Sequence, residues 1–234
     1  MLIIPTYNER DNIATLVGRI RKAAGAESIL FVDDNSPDGT AGEIRRIQAD
    51  DPHVHLLARP GKAGYGSACR DAMKKILQED LADYVIQSDA DLSHPPELLP
   101  TMIELLKSHP VVIGSRYVAG GGAQGWDVRR RFLSFGANLY ARLFTGVPVR
   151  DMTAGFVGYQ TGVLRKIDLD SIRSEGYAFL MEMKFNLYRR GVSFREFPIV
   201  FYEREAGKSK FSRRILYEGM RFPLKALGKR ISGR

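Results

Sequence analysis

Five short apolar runs alternate with helix-spaced segments through the first half of the chain, and that alternation leaves few architectures open. The runs are Leu2-Ile3-Ile4, Ile29-Leu30-Phe31-Val32, His55-Leu56-Leu57-Ala58, Tyr84 to Gln87 and Val111-Val112-Ile113-Gly114. Between the first two, Ile13, Leu16, Val17 and Ile20 fall on one face of a helix predicted over residues 9–24. Further helices are predicted over 41–49, 67–77 and 96–107, the last with proline in its first turn. Strands and helices joined by short connections predict an α/β fold, a mostly parallel, doubly wound sheet flanked by helices. In such a sheet ligands bind outside the carboxyl ends of the strands. Pro5, Asp33, Asp89 and Ser115 all stand at strand ends, so they are expected to face one crevice.

The pattern changes after Gly122. Residues 127–145 are basic and aromatic with helical spacing, 151–200 return to mixed strands and helices, and 204–234 form a basic tail. No linker divides the chain. The expected organisation is one α/β unit over 1–203, then a basic loop and a C-terminal amphipathic helix over 204–234. The formal net charge of +8 favours an anionic partner: nucleic acid, phosphorylated small molecules or an anionic membrane surface. The single cysteine, Cys69, excludes an internal disulfide and fits a reducing compartment. The four histidines are not at zinc-ligand spacing. No stretch approaches the roughly 18 apolar residues of a membrane span. The first residues run straight into strand-like sequence, so no leader peptide is expected.

Asp89-Ala90-Asp91 follows the fourth run directly. Two carboxylates at i and i+2 on a strand mouth can hold one hard divalent cation, Mg²⁺ or Mn²⁺, which can in turn bridge to a diphosphate. His94 could add a ligand, although a histidine before two prolines is more often structural. Pro5-Thr6-Tyr7-Asn8-Glu9 leaves the first strand. Tyr7 can stack on a base and Glu9 can accept from a guanine edge, or Thr6 or Asn8 simply caps the next helix. At Asp33-Asp34 one carboxylate is placed to take a ribose hydroxyl or a base N–H. Adjacent strand residues point to opposite sides, so only one of the two should reach a ligand; the plainer reading is capping by Asn35 or Ser36. Residues 61–66 are glycine-rich but lack the Gly-Lys-Ser/Thr ending of a Walker A loop, which makes them a loop beside a nucleotide rather than a phosphate cradle. Arg116, Arg130, Ser134, Arg204 and Lys210 come from separate places and can converge on phosphates, against the plainer reading of solvated surface charge.

Ile-Pro-Thr-Tyr-Asn-Glu (4–9), Val-Asp-Asp-Asn-Ser-Pro-Asp-Gly-Thr (32–40), Asp-Ala-Asp-Leu-Ser-His-Pro-Pro-Glu (89–97), Gly-Ser-Arg-Tyr (114–117) and Gly-Lys-Ser-Lys (207–210) occur in this order. Together they resemble inverting family 2 glycosyltransferases of the GT-A fold, and most of all the polyprenol (dolichol) monophosphate mannose synthases. The resemblance implies transfer of mannose from GDP-mannose to polyprenyl phosphate. It further implies that Pro5, Tyr7, Glu9, Val32 and Asp34 hold the guanosine, with Ala90 against the nucleotide. Asp89 and Asp91 would ligate the metal. Arg116, Arg130 and Ser134 would bind the acceptor phosphate or donor, and Arg204 and Lys210 would close over the diphosphate. Relatives of this kind can carry Gln two residues after the second Asp. Here Ser93 stands there, a shorter and weaker ligand beside which a water can complete the shell.

A polyprenyl acceptor lives in a bilayer. Phe132, Phe135, Leu139 and Leu143 lie among Arg129, Arg130, Arg131 and Arg142. Ile215, Leu216, Met220, Leu224 and Leu227 lie among the cations of 213–231. Two such helices can rest at the cytoplasmic face of a membrane, dock a membrane anchor subunit, or pack on the core with a basic outer face. Three readings compete: a polyprenyl phosphate glucosyltransferase or other family 2 enzyme using a UDP-sugar, a nucleic-acid-binding module, and a silent membrane-surface scaffold. Acidic pairs at strand mouths and the lack of an aromatic-rich binding motif speak against nucleic acid.

Overall fold

The computed structural model of the chain describes residues 1–202 and 213–232. The alternating runs become β1 (Leu2–Thr6), α1 (Arg10–Ala24), β2 (Ile29–Asp33), α2 (Thr40–Asp50), β3 (Val54–Ala58), α3 (Tyr65–Glu79), β4 (Tyr84–Gln87), α4 (Leu99–Leu106) and β5 (Val111–Ser115). A short β6 (Gly122–Ala123) and a long α5 (Val128–Thr145) follow. The rest comprises β7 (Val157–Gln160), α6 (Thr161–Leu164), α7 (Gly176–Arg189), β8 (Arg195–Pro198), β9 (Val200–Phe201) and α8 (Arg213–Ile231). Seven strands form one sheet in the order β3-β2-β1-β4-β7-β5-β8. All neighbours are parallel except β7, which runs antiparallel to both β4 and β5. The small β6–β9 pair stands apart from this sheet.

The inner strands β1, β2, β4, β5 and β7 are buried on both faces, as their near-continuous apolar runs require. Ile3, Leu30, Val32, Val85 and Val111 join a core with residues of α3, α7 and α8. Their alternates Leu2, Ile4, Ile29, Phe31 and Ile86 join a second core with α1 and α4. Side chains alternating at period two therefore serve two helical layers, the doubly wound arrangement the sequence predicts. The four residues expected on one helix face, Ile13, Leu16, Val17 and Ile20, are all buried. Helix α8 is tied to the body through Phe222 and Ala226, both buried in the first core.

The chain turns sharply at each of three strand mouths. Asn8, Asn35 and Leu92 all have positive φ, at 55°, 57° and 60°. Asparagine tolerates this region. Leucine does not, at a cost of about 1–3 kcal/mol for a held outlier of this kind. Leu92 lies between Asp91 and Ser93, so backbone strain is concentrated in the acidic motif.

Candidate active site

Asp89, Ala90 and Asp91 emerge from the carboxyl end of β4, next to the mouths of β1 and β2. Asp91 is buried, and its Oδ1 accepts from the Ser93 amide at 3.2 Å. The Asp89 side chain is about one-third exposed, at 32%. Its amide donates to His94 Nδ1 at 3.2 Å. His94 is buried and stacks on Phe156, so it is structural, as the prolines beside it suggest. Tyr65, at the start of α3, takes a hydrogen bond from Gln87 Nε2 at 2.8 Å and faces Asp89. Burial, then the Asp89 charge, holds its phenol well above the ordinary value, which keeps the proton that can be offered to the carboxylate. Gly155 closes the other side: a Cβ there would sit 3.3 Å from both His94 Cε1 and Tyr65 Oη, and 3.7 Å from Asp89 Oδ1.

These residues suit a divalent cation. The two carboxylates stand beside a Ser93 hydroxyl that is buried and has no hydrogen-bond partner. Among the described residues no cluster of three His, Cys, Asp or Glu side chains exists to enclose a metal. A hard cation held by two carboxylates takes its remaining oxygens from phosphate and water.

At the mouth of β2 the two acids divide. Asp33 turns inward and accepts from the Thr6 hydroxyl at 3.1 Å and from the Ser36 amide at 2.9 Å. Asp34 turns to the 59–64 loop. Its Oδ1 accepts from Arg59 at 2.6 Å, and its Oδ2 accepts from the amides of Ala63 and Gly64. A carboxylate offers about four acceptor positions, so three bonds leave room for one more donor. The amides of Gly66 and Ser67 donate to Glu175 at 2.7 and 3.0 Å. The 61–66 loop thus faces protein carboxylates, consistent with a loop that is not a phosphate cradle. Lys62 Nζ lies 3.8 Å from the centre of the Tyr7 ring, over the face expected to stack on a base.

Capping at these mouths differs from expectation. Neither Thr6 nor Asn8 caps α1, which has no side-chain cap of its own. Asp38 accepts from the Arg10 amide instead, reaching across from the next loop. Neither Asn35 nor Ser36 caps α2; Asp38 accepts from the Thr40 amide at 3.0 Å. Glu9 is buried and accepts from Asn12 at 2.8 Å. Pro5 lies within β1. The Val32 side chain faces the core, and its carbonyl accepts from Thr6, so Val32 offers a ligand no side chain.

Beyond β5, Arg116 makes a two-pronged ion pair with Asp151: Nη2 to Oδ1 at 2.7 Å and Nε to Oδ2 at 2.8 Å. The Asp151 side chain is fully buried and that of Arg116 nearly so. Burial alone would lower the arginine pKa, but the Asp151 charge and hydrogen bonds outweigh it and raise it. Burial likewise pushes Asp151 up, and Arg116 more than reverses this, so the pair stays ionised. The Trp126 ring packs near both Arg116 and Arg130, whose guanidinium carbons lie 5.4 and 4.3 Å from its centre. Ser134 accepts from the Tyr117 hydroxyl at 2.7 Å. Arg116, Arg130 and Ser134 are thereby brought to one place, beside a cavity of about 540 Å³ lined by Arg116, Tyr117, Trp126, Arg131, Phe132 and Phe135 among others. Arg204 and Lys210 lie outside the described residues.

Lys184 on α7 is fully buried. Its Nζ donates to the carbonyls of Met152 at 3.2 Å and Ala154 at 3.0 Å, pinning the loop that carries Asp151 and Gly155. Burial lowers its pKa to about 8, against the opposing charges of Asp151 and Glu196. A base whose folded pKa lies below its unfolded value carries fewer protons folded than unfolded between the two. Stability is therefore expected to rise as pH climbs from about 8 towards 10.5, and Lys184→Met is expected to remove that rise. Urea titrations of both proteins below and above this window check it.

An α/β sheet whose parallel strands carry paired carboxylates at their mouths, with cations gathered opposite, is the arrangement of the GT-A glycosyltransferases. The chain belongs to glycosyl transferase family 2, whose family model matches residues 1–168. It is 41% identical over 220 residues to an undecaprenyl-phosphate mannosyltransferase of Micrococcus luteus, covering 94% of this chain and 90% of that one. It is also 41% identical over 222 residues to a polyprenol monophosphomannose synthase of Mycolicibacterium smegmatis, covering 94% of this chain and 83% of that one. Among solved structures it resembles glucosyl-3-phosphoglycerate synthase of Mycobacterium tuberculosis in complex with Mn²⁺ and UDP-glucose. The TM-score is 0.69 at 15% identity, over 97% of this chain and 78% of that one. Mannosyl-3-phosphoglycerate synthase of Rubrobacter xylanophilus matches with a TM-score of 0.66 at 18% identity, over 99% and 73% of the two chains. At these identities the structural likeness establishes the fold, and the family establishes a glycosyltransferase.

Proposed function

We propose that the enzyme transfers mannose, with inversion, from GDP-mannose to a polyprenyl (dolichyl-type) monophosphate. The observation that carries this reading is a cationic, aromatic-walled cavity linked to the acidic motif through Phe201, whose ring packs on Trp126 and Arg116 on one hand and on His94 on the other; the cavity is bordered by a helix whose apolar side chains are left in water. On α5, Phe132 is 73% and Leu143 64% exposed; on α8, Leu224 is 54% exposed. The two helices are joined by the Tyr140 hydroxyl donating to the Met220 carbonyl and by Arg230 donating to the carbonyls of Leu143 and Phe144. Exposed apolar stripes of this size on adjacent helices mark an interaction surface. No helix among the described residues is long and apolar enough to cross a membrane. The proposed contact is therefore peripheral, at the cytoplasmic face, or made through an anchor subunit. The two relatives are named for polyprenyl-phosphate mannosyl chemistry, and their coverage of nearly the whole chain supports the same substrates here.

In this reading Pro5, Tyr7, Glu9 and Asp34 hold the guanosine, Ala90 lies against the nucleotide, and Val32 contributes only the backbone that aims Asp34. Asp89 and Asp91 would hold Mg²⁺ or Mn²⁺, which when bound supplies positive charge to the departing diphosphate; the Mn²⁺ held by the solved glucosyl-3-phosphoglycerate synthase supports a divalent ion. Arg116, already oriented by Asp151, holds the acceptor phosphate with Arg130 and Ser134. That phosphate is largely dianionic near neutral pH, its second pKa being about 6, so it needs no strong base. Its oxygen bonds to the sugar C1 from the face opposite the diphosphate. The C1–O bond to the β-phosphate breaks, and the electron pair leaves on GDP. Catalysis is then mainly positioning and charge stabilisation, with Arg204 and Lys210 closing over the diphosphate.

The test is a donor panel with purified enzyme and a short polyprenyl phosphate. The expected result is transfer from GDP-mannose, abolished by EDTA and restored by Mg²⁺ or Mn²⁺. Turnover with UDP-glucose alone would replace this donor with the competing one.

A further inference from the structure

A second cavity, of about 250 Å³, adjoins the larger one. Tyr117 and Phe135 line both; Asn138, Leu139, Arg142 and Arg150 complete the smaller. Its chemistry is two-sided. Phe135 and Leu139 belong to the exposed apolar stripe of α5, so the cavity borders the surface that the proposed membrane contact uses. Arg142, in the last turn of α5, and Arg150, in the connection before β7, supply two positive charges.

Among the described residues those charges are uncommitted. Of the neighbouring arginines, Arg131 donates to the Ala123 carbonyl and Arg230 to the carbonyls that end α5. Among the described residues no carboxylate pairs with the guanidinium of Arg142 or Arg150. Glu196 accepts from the backbone amides of Arg150 and Asp151, at 2.9 and 3.0 Å. The polar wall offers no competing anion either: the Asn138 amide donates to Ser134 and Thr153, and the Tyr117 hydroxyl to Ser134. Two unpaired guanidiniums over an apolar rim are complementary to a phosphate whose tails lie in a bilayer.

We propose that this cavity seats the phosphate head group of an anionic phospholipid, held by Arg142 and Arg150, separately from the acceptor's phosphate. The inference rests on the reading that the α5 stripe meets a membrane. Bound there, the lipid fixes the rotation of α5 on the bilayer, so that the adjoining acceptor cavity faces the surface from which a polyprenyl phosphate must enter.

The test is vesicle flotation on neutral phosphatidylcholine and on phosphatidylcholine mixed with phosphatidylglycerol. It compares wild type, the double variant Arg142→Gln/Arg150→Gln, and the control Lys225→Gln/Lys229→Gln, which removes equal charge from α8. Wild type should favour the anionic vesicles. Diffuse attraction, at about 1 kcal/mol per cation, accounts for at most about 30-fold for either pair; the lysine control should lose no more than this in partition to them, and the arginine variant should lose more. It should match wild type on neutral vesicles and keep the wild-type KM for a short, water-soluble polyprenyl phosphate. Equal losses in both variants would mean diffuse attraction rather than a site, and would overturn the proposal. A raised KM for the short acceptor would assign the arginines to the acceptor and overturn it as well. Wild type that floats with neither vesicle would overturn the membrane reading beneath it, whereas equal flotation of every protein on both would overturn this site alone.

Discussion

Asp91→Ala is expected to lower kcat by about 10³-fold, the upper range for removing one preorganised group that stabilises developing charge. The fold should survive. Asp91 is buried at a strand mouth rather than inside either apolar core, and the hydrogen bond its Oδ1 accepts from the Ser93 amide is worth about 1 kcal/mol. Asp91→Asn should behave alike despite its matching shape, because the charge that holds a hard cation is gone. Asp89→Asn is expected to be comparably inactive, and the change at neither position should shift Tm by more than a few degrees. Two readouts separate this from a packing defect: Mn²⁺ titration, where binding should vanish in the variants, and a melt, where it should not matter. Wild-type turnover in Asp91→Ala would remove the metal from the mechanism. The strained Leu92, directly after Asp91, marks the motif as rigidly held: a residue at positive φ persists only where its surroundings over-determine it.

Much of this site is readable from sequence because one rule locates it. Parallel strands deliver their carboxyl ends to one edge, so Pro5, Asp34, Asp89 and Arg116 assemble from their positions after apolar runs. The same rule conceals Asp151. Strand β7 is antiparallel, so it is the residues before it, 151–156, that arrive at the catalytic edge. Nothing in the periodicity of Val157–Gln160 reveals its direction. The cue was chemical: Asp151-Met152-Thr153-Ala154-Gly155 combines an acid, a hydroxyl and a glycine ahead of a buried strand. Lys184 is hidden for another reason. On an apolar helix a lone lysine reads as solvent-facing, and only the tertiary fold shows three carbonyls turned towards it. The exposed stripes of α5 and α8 were legible as amphipathic patterns, but the sequence left lipid, partner and core as equal claimants. Among the described residues nothing covers Phe132, Phe135, Leu139 or Leu143, which sets aside the packed-on-core alternative for these four.

Asp151→Asn is expected to destabilise the fold by about 3–5 kcal/mol, the usual cost of removing one partner from a buried ion pair. The neutral amide leaves the Arg116 guanidinium buried with its charge unanswered, and it replaces an acceptor of three hydrogen bonds from Arg116 and one from Thr153 by a group that also donates. The pH dependence follows from the same pair. Asp151's folded pKa is depressed, so its contribution is present above the ordinary carboxylate range and is lost as pH falls through the folded value. Wild type and Asp151→Asn should therefore converge in stability under acid. Replacing both partners, Arg116→Met with Asp151→Leu, should recover much of the lost stability, since a buried pair exchanged for apolar side chains of similar volume is often neutral or better. Activity should not return with it, because the guanidinium proposed to hold the acceptor phosphate is absent. Chemical denaturation and turnover measured on wild type and the two variants separate the two roles of the pair. Recovery of activity alongside stability in the double variant would reduce Arg116 to a structural residue.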